Sequence, residues 1–575
     1  MKKRLFALLL AAAMILALAA CGGGAQSAAS AASGNEASEP APAAPAEPET
    51  PEAPAAPAEE EASAAEPAAS AQEPAEELTD PSQVPPTDLP LSDGSETFEV
   101  WMGISPAAMN YITSLAENLT FQEIMNRTGV NLAFQHFHPD TQSEQFNLIM
   151  ASGDYPDVMN GVANDYTGGA DKGIEDEVFV DLNEYLEDCA PHYYAYIHSD
   201  PALYEAVTTP EGAVAGFYSL YEEERLNDMG YIIRQDWLDD LGMDKPTTFD
   251  ELHDVLTAFK DDKGATDALF VQATGTTDYF LGGYGVATGM FLDGDTIKYG
   301  PLEEGYKQYL QMMADWYSED LVYHDFPFYG EQFAFRDPGM VGAGQVACFF
   351  SETGDMAMFG DFSDDPDIRF TAMAPVSVEK GGTIYPADLA PSKADTLRWS
   401  VTTGCEDPEL LVATIDYLYS EEGALLCNYG IEGETFEYDE NGVPHFSDLI
   451  YNNPTYDYRT AVFIYVMDAG PTVVDPMRGT STYTQEQLDS WSDWTDANLD
   501  YSHVVPNKVV LKAEDSTYNN LMSDIETFLD EMTVKYITGE YSFDSYDTDF
   551  VEALKGMDIE QCIEIYQDAY DEYIG

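Results

Sequence analysis

Residues 148–158 read LIMASGDYPDV, and this stretch predicts where a helix ends and a strand begins. The residues from Thr141 to Ser152 place their large apolar side chains on one side, as in an amphipathic helix. Gly153 is suited to close this helix, and Pro156 prevents its continuation. A short strand is then expected at 157–160. A helix followed directly by a strand is the basic step of an α/β fold.

The segment before this stretch repeats the same alternation of strand and helix. Phe98, Val100 and Met102 alternate with polar residues and predict a first strand. Apolar residues at near-helical spacing predict a helix over 110–127, and alternation returns over 130–136. A strand–helix–strand–helix–strand run implies a parallel sheet covered by helices.

Further helix signals follow later in the chain. Thr248 and Glu251 fit a capping box, in which each residue would bind a backbone N–H of the first helical turn. Asp407 precedes Pro408, a pairing typical of a helix start. From about Asn519 the chain is expected to be mostly helical, and it is very acidic.

Composition excludes several functions. The 575 residues include 23 basic and 106 acidic side chains, so the formal net charge is −83. Such a chain is unsuited to nucleic acid, since phosphate binding needs clustered lysines and arginines. The 6 cysteines have no CxxC spacing, which argues against a zinc module and a disulfide scaffold. With 45% hydrophobic residues, the chain has ample material for a core.

The chain begins with Lys2, Lys3 and Arg4, followed by an apolar stretch up to Ala20. This composition predicts a secretory signal peptide over residues 1–20. The stretch ends in LAAC at 18–21, which resembles the lipobox of bacterial lipoproteins. The resemblance implies that Cys21 is lipidated and becomes the new N-terminus, which anchors the protein at the outer face of the cytoplasmic membrane. The alternative is an ordinary signal with an incidental cysteine.

Residues 21–95 comprise Cys21 and a segment of mostly Ala, Pro, Glu and Ser. Almost nothing apolar larger than Ala occurs before Leu78, so this segment cannot form a core. Repeated Ala-Pro and Glu-Pro steps favour extended conformations. The composition therefore predicts a disordered tether, with the folded body at 96–575.

Four segments of the body carry a family resemblance. They read LIMASGDYPDV at 148–158, RQDWLDDLG at 234–242, DYLYSEEG at 416–423 with YGIEG at 429–433, and IEIYQDAYDEY at 563–573. Together with the lipobox, they resemble the extracellular solute-binding lipoproteins of bacterial ABC importers, in the family that carries oligosaccharides and sugars. These motifs are moderately specific for the family and say little about the ligand.

The resemblance implies an α/β, two-lobed fold of the type II periplasmic-binding-protein kind. Parallel-dominated sheets would be flanked by helices, and a multi-strand hinge would join the lobes. We expect lobe one at about 96–217 and 398–470, and lobe two at about 218–397 and 471–575. The implied function is capture of an oligosaccharide by hinge closure and its delivery to ABC permease subunits. A monomer without a cofactor or enzymatic activity is expected.

Ligand contacts are expected at the carboxyl ends of strands and near the hinge crossings. Sugar recognition needs polar side chains and aromatic faces. The candidates that follow strands are Ser105, Asn160 and Asn164; the others are Tyr218, Tyr279, Tyr284, Glu352, Arg398 and Trp399. Packing, or ordinary loop polarity, is the alternative for each. Trp237 and the 153–157 turn are expected to be structural, the turn because it lies at the opposite end of the sheet.

Metal sites are not favoured. The family often carries a calcium loop after the helix that starts near Thr248, and the matching residues are 260–267. This loop is short, and Lys263 stands where an oxygen ligand would be needed, so we expect no calcium there. His136 and His138 share one strand face without a third histidine nearby, which is insufficient for a metal site.

The scarcity of arginines that could face a cleft indicates a neutral cargo, with Arg234 and Arg398 the expected exceptions. Two other classes stay open. A glycan-cleaving enzyme could use paired carboxylates, although none of the common catalytic motifs occurs. A surface adhesin or sensory protein would also suit a long stalk. A peptide is the alternative cargo.

Overall fold

The computed structural model describes residues 79–106, 108–138, 141–223, 227–271, 278–328, 335, 337–361, 363, 365–386, 392–467, 470–511 and 516–575. The expected signal peptide, the lipidated Cys21 and most of the tether lie outside the described residues. Among the residues described, no helix combines the length and the apolar character that crossing a bilayer requires.

Twelve strands occur in the described part of the chain. They are β1 Thr97–Trp101, β2 Asn131–Gln135, β3 Val158–Asn160, β4 Phe217–Leu220, β5 Met229–Arg234, β6 Met290–Asp293, β7 Thr296–Tyr299, β8 Cys348–Glu352, β9 Phe370–Ala372, β10 Ala394–Val401, β11 Phe436–Tyr438 and β12 Pro444–Phe446. The first three confirm the predicted alternation at the start of the body.

The first sheet has the strand order β2-β1-β3-β10-β4. The strands β2, β1 and β3 are mutually parallel, and Val100 lies opposite both Phe134 and Val158. The strand β10 then pairs antiparallel with β3, placing Trp399 opposite Asn160, and β4 pairs antiparallel with β10. The strand β10 comes from far along the chain, so this lobe is discontinuous in sequence.

The second sheet is built around antiparallel strands. The strand β5 lies between β8 and β9 and is antiparallel to both. Parallel bridges from Leu269 to Cys348 and to Val322 continue the sheet beyond β8. The expectation of parallel-dominated sheets is therefore corrected to mixed sheets. Local periodicity predicts strands but carries no information about strands that return from distant parts of the chain.

The helices cover both sheets. They are α1 Leu119–Thr128, α2 Gln142–Ser152, α3 Gly169–Glu175, α4 Leu186–Cys189, α5 Pro191–Ile197, α6 Pro201–Val207, α7 Gln235–Leu241, α8 Phe249–Ala258, α9 Asp278–Leu281, α10 Glu304–Ser318, α11 Pro338–Gly342, α12 Asp355–Asp361, α13 Pro408–Asp416, α14 Glu421–Tyr429, α15 Asp448–Tyr451, α16 Tyr458–Tyr465, α17 Gln485–Asp493, α18 Ser516–Ile537, α19 Glu552–Gly556 and α20 Ile559–Ile574. The C-terminal region is helical, as predicted.

Helix ends follow the sequence signals closely. Gly153 closes α2 in the left-handed conformation, with φ of 69°. Asp407 caps α13 by accepting from the Leu410 N–H. Thr248 caps α8, although the Glu251 carboxylate binds Thr247 instead of completing the capping box. The helix predicted over 110–127 begins only at Leu119.

Two large hydrophobic cores define the two lobes. The core of the first lobe takes residues from 98–220, 397–427 and 464–473. The core of the second lobe takes residues from 231–376 and 522–562, and Trp237 packs within it as expected. The two-lobed α/β fold is thus confirmed, while the exact lobe boundaries stay a prediction.

The chain passes between the lobes at three neighbouring places in its described part. The Leu220 N–H donates to the Thr472 carbonyl over 2.9 Å, and the Tyr221 N–H donates to the Lys393 carbonyl over 2.8 Å. Leu220 also forms a parallel bridge with Val473. These hydrogen bonds hold the crossing segments side by side as a multi-strand hinge.

Candidate functional site

A cleft of about 1630 Å³ lies between the two lobes. The first lobe contributes Gly161, Asn164, Tyr218 and Leu397 to its wall, and the second contributes the segment 227–229. Ligand pockets commonly occupy about 300–1,000 Å³, so this space can hold a ligand of several sugar units. The cleft is therefore the candidate binding site.

The two predicted asparagines, one at the end of β3 and one in the loop after it, differ in what they contact. The side-chain amide of Asn160 donates to the Arg398 carbonyl over 2.7 Å, which fixes this residue against β10. Asn164 is exposed and lines the cleft, close to Tyr218. Burial raises the pKa of Tyr218, which keeps its hydroxyl neutral. Asn164 and Tyr218 together present hydrogen-bonding groups suited to a hydroxylated ligand.

Arg398 lies beside the cleft and acts within the hinge. Its Nε donates to Ser219 Oγ over 2.8 Å, and Nη2 lies 3.2 Å from Asp395 Oδ2. Ser219 Oγ in turn donates to the Gly470 carbonyl over 2.9 Å. Arg398 and Ser219 together thus connect the three crossing segments. Asp395, which also contacts Arg398, lines the cleft.

The other predicted aromatic residues lie in cores. Trp399 is 2% exposed and stacks on Phe121, so its ring has no free face for a sugar. Tyr284 stacks on Phe249 in the second lobe, and burial raises its pKa to about 12. We leave Trp399 and Tyr284 out of the proposed site.

Tyr279 packs against Tyr231 and Phe350. Its hydroxyl is buried without a hydrogen-bond partner in the structure as described. Burial raises the pKa of Tyr279, and Tyr501, which lines the cleft, adds to this effect. Tyr279 therefore lies near the site without lining it.

Ser105 lies in the loop after β1, as expected, and Glu352 is the last residue of β8. The Ser105 carbonyl accepts from the Ala108 N–H over 2.9 Å and shapes the loop after β1. Glu352 Oε2 lies 2.8 Å from Arg459 Nη1 of α16. The helix α16 is fixed to the first lobe, because Asn118 donates to the Phe463 and Val466 carbonyls. The Glu352–Arg459 ion pair therefore spans the two lobes.

The cleft wall is strongly acidic. Eight carboxylates line it, against two lysines: Asp165, Asp171, Glu175, Glu205, Glu211, Asp228, Asp395 and Glu572 against Lys172 and Lys508. Lys172 is neutralised by Glu175 and Asp176, and Lys508 Nζ donates to Thr208 Oγ1 over 3.0 Å. Burial raises the pKa of Asp165. An anionic ligand would meet little compensating charge here.

Several residues of the cleft were missed by sequence reasoning. Asp228, Tyr501 and Lys508 line it, and they come from the hinge and the C-terminal third of the chain. None of them belongs to a motif or follows a strand end. No local signal in the sequence could have identified them.

The turn at 153–157 is structural, as expected. Thr402 Oγ1 donates to the Pro156 carbonyl over 2.6 Å, and the Glu99 N–H donates to Asp157 Oδ2 over 2.7 Å. Both partners belong to the first sheet or to its immediate continuation, so the turn fastens α2 to the sheet and takes no part in the cleft.

The residues at 260–267 do not fit a calcium loop. Lys260 Nζ donates to the Glu319 carbonyl over 2.6 Å, and Lys263 Nζ lies 2.6 Å from Asp240 Oδ2. The turn therefore carries two ammonium groups, which repel a cation and supply no oxygen ligand. Gly264 ends this turn in the left-handed conformation, with φ of 82°.

His136 uses its ring nitrogens in hydrogen bonds to the backbone and does not present them to a metal. Its Nδ1 lies 2.8 Å from the Met102 carbonyl, and its Nε2 accepts from the Leu115 N–H over 3.1 Å. Both ring nitrogens are used by the backbone. Within the described ranges, no group of three or more His, Cys, Asp or Glu side chains could hold a metal ion.

Comparison with known proteins agrees with this geometry. The chain is 21% identical over 503 residues to the polygalacturonan/rhamnogalacturonan-binding protein YtcQ of Bacillus subtilis (strain 168), covering 84% of this chain and 94% of the relative. It is 26% identical over 352 residues to lipoprotein LipO of the same organism, covering 58% of this chain and 66% of LipO.

A solved HMO-binding, ABC-transporter-associated solute-binding protein from Bifidobacterium longum infantis shares the fold. Its TM-score is 0.69 at 19% identity, with 84% of this chain and 99% of that chain covered. The family model for the bacterial extracellular solute-binding protein matches residues 112–425, which is more than half of the chain. With its two lobes, its hinge and the cleft between them, the chain belongs to the bacterial extracellular solute-binding protein family.

Proposed function

We propose that this protein is the lipid-anchored, extracellular solute-binding component of an ABC importer. In this proposal the cleft captures a neutral oligosaccharide, and the closed protein delivers it to permease subunits. The observation that carries the proposal is the cleft of about 1630 Å³ between two lobes that are joined by a hydrogen-bonded hinge.

Contacts between the lobes support a closure mechanism. The Glu352–Arg459 ion pair and the Lys508–Thr208 hydrogen bond both join the first lobe to the second. Arg459 is 51% exposed, and an exposed ion pair of this kind contributes about 0–1 kcal/mol. Contacts this weak leave closure to be decided by the ligand, which favours the closed state by its additional contacts there.

The charge of the cleft supports a neutral cargo. Hydroxyl groups can donate to the carboxylates at Asp228 and Asp395 and can accept from the Asn164 amide. A uronic-acid chain would bring further negative charge to an acidic wall. The relative YtcQ is named for binding polygalacturonan and rhamnogalacturonan, and a uronic-acid oligosaccharide is therefore the second candidate ligand.

The relatives and the N-terminal sequence support the proposed location. LipO is named a lipoprotein, and the stretch LAAC at 18–21 suits lipidation of Cys21. Substitution of Cys21 by Ser should release the protein from the membrane fraction into the medium. Retention of the Cys21→Ser variant in the membrane fraction would exclude a lipid anchor at this residue.

The cargo can be tested by thermal denaturation of residues 22–575, which omit the signal peptide and Cys21, with neutral oligosaccharides, oligogalacturonates and peptides. A ligand that binds the native state stabilises it by about 2.7 kcal/mol at a hundredfold excess over Kd. This stabilisation raises Tm. We expect neutral oligosaccharides to raise Tm. A rise with oligogalacturonates or peptides alone would refute the neutral cargo, and release of reducing ends would indicate an enzyme instead.

A further inference from the structure

A second cavity, of about 810 Å³, lies on the first lobe and shares no lining residue with the cleft. One wall is the segment Asp80–Thr87, which precedes the first strand of the body. This segment is fastened to the lobe, since Thr79 Oγ1 donates to the Ala195 carbonyl over 2.6 Å and the Leu91 N–H donates to the Thr128 carbonyl over 2.7 Å. The cavity is therefore a built feature of the fold.

His192 points a hydrogen-bonding atom into this cavity. The residue is only 6% exposed and lines the cavity wall. Its Nδ1 lies 2.7 Å from Asp416 Oδ2, and Asp416 Oδ1 accepts the Tyr193 N–H over 2.8 Å. With Nδ1–H donating to the carboxylate, Nε2 is the ring nitrogen left for a further hydrogen bond. Among the described residues, none forms a hydrogen bond with Nε2, so this nitrogen is available to a ligand.

The rest of the lining includes tyrosines and carboxylates beside proline, serine and aliphatic residues. Tyr196 is half-buried beside His192, and burial raises its pKa, with Glu222 and Glu421 adding to the effect. Neither Glu222 nor Glu421 has a basic partner in the described part of the chain. Lys393 is the basic residue of the lining, and its Nζ lies 3.2 Å from Asp200 Oδ2. Negative charge and a tyrosine ring both attract organic cations.

We propose that this cavity is a second binding site, which takes a small protonated amine of about monosaccharide size. The ammonium group donates to His192 Nε2, its charge is met by Glu222 and Glu421, and the Tyr196 ring contacts its apolar part. The cavity also touches the hinge, because Tyr221 and Lys393 line it and are hydrogen-bonded to each other there. The inference does not depend on what the cleft binds.

Isothermal titration calorimetry of residues 22–575 tests this site with three sugars of about the same size. D-glucosamine carries a positive charge, D-glucose none, and D-glucuronate a negative charge. We expect saturable binding of glucosamine, glucose at least about tenfold weaker, and no binding of glucuronate, because only the ammonium group adds a charged hydrogen bond. No glucosamine binding at about 20 mM, where even a millimolar Kd would be visible, would overturn the proposal. Equal binding of glucose would do the same.

Two variants place the ligand in this cavity. His192→Asn keeps a donor towards Asp416 and removes the Nε2 acceptor, so we expect glucosamine to bind about tenfold more weakly. Glu421→Gln removes charge from an exposed position and keeps the test valid if His192→Asn does not fold. Glu437→Gln, on the exposed face of β11, is the control and should bind glucosamine unchanged. Unchanged binding in both cavity variants would overturn the proposal.

The ¹⁵N signal of His192 Nε2 gives a direct readout. We expect this signal to shift on adding glucosamine and to stay unchanged with glucuronate. Glucosamine binding that leaves the His192 signal unmoved would contradict the assigned contact.

Discussion

Arg398 Nε lies 2.8 Å from Ser219 Oγ, and this hydrogen bond joins two of the segments that run between the lobes. Ser219 Oγ in turn donates to the Gly470 carbonyl, which belongs to the third segment. A residue that the sequence suggested as a ligand contact therefore stabilises the hinge on which ligand capture depends. Its position beside the cleft was predicted, and its partners were not.

Removing the guanidinium should weaken the hinge. We expect Arg398→Met to lower the free energy of unfolding by about 1–2 kcal/mol, because Ser219 and Asp395 lose a charged hydrogen-bond donor. Urea denaturation measures this change. The control Arg369→Met removes an exposed pairing with Asp239 and should cost less than about 1 kcal/mol. If both variants lose the same free energy of unfolding, the hinge network stabilises the protein no more than an exposed ion pair does.

Calcium should not matter for folding. Lys260 and Lys263 bring two positive charges to this turn and supply no oxygen ligand, so about 1 mM EDTA or calcium should change Tm by less than about 1 °C. By contrast, Lys263→Met should lower Tm, since Asp240 loses its cation. Differential scanning calorimetry checks both. A clear rise of Tm with calcium, abolished by EDTA, would contradict the lysine arrangement.

Acid should remove the stabilisation that Glu251 provides. The hydroxyl and then the N–H of Thr247 hold the pKa of Glu251 below its ordinary value of 4.5. A lowered folded pKa means that this stabilisation is present above pH 4.5 and is lost as the pH falls through the folded pKa. Glu251→Gln should flatten the acid limb of the unfolding free energy measured by urea titration. An unchanged acid limb, equal to that of Glu437→Gln, would refute this role.

The cysteine thiols should be unreactive in the folded protein. Burial raises the pKa of Cys405 to about 12 and that of Cys427 to about 12, and it raises the pKa of Cys348 further. Because the thiolate is the reacting species, labelling with a thiol reagent at about pH 8 should be slow until the chain unfolds. Rapid labelling of Cys405 in the native protein, located by peptide mass spectrometry, would contradict the burial.

Much of the local structure in both lobes could be predicted from local patterns. The strands β1 to β3, the helix α2 and the caps at Thr248 and Asp407 follow from periodicity and turn chemistry within a few residues. The start of α1 was placed too early, because apolar spacing over 110–118 belongs to a loop that also packs inward.

Long-range features could not be predicted in this way. The antiparallel strands β10 and β4 join the first sheet from distant parts of the chain, and this pairing buries Trp399. The cleft residues Asp228, Tyr501 and Lys508 meet only after the hinge has formed. An aromatic or acidic residue has the same local sequence signal in a core, on a surface and in a cleft.

The most direct test of the proposed function is the affinity of residues 22–575 for the neutral oligosaccharide that raises Tm most, measured with Asn164→Ala beside it. Loss of one hydrogen bond in the cleft should weaken binding about tenfold, which corresponds to 1.4 kcal/mol. Asn520→Ala, at an exposed position on α18, should bind as the unaltered protein does. If no neutral oligosaccharide binds, or if Asn164→Ala binds as well as the unaltered protein, the cleft is not a site for neutral sugars.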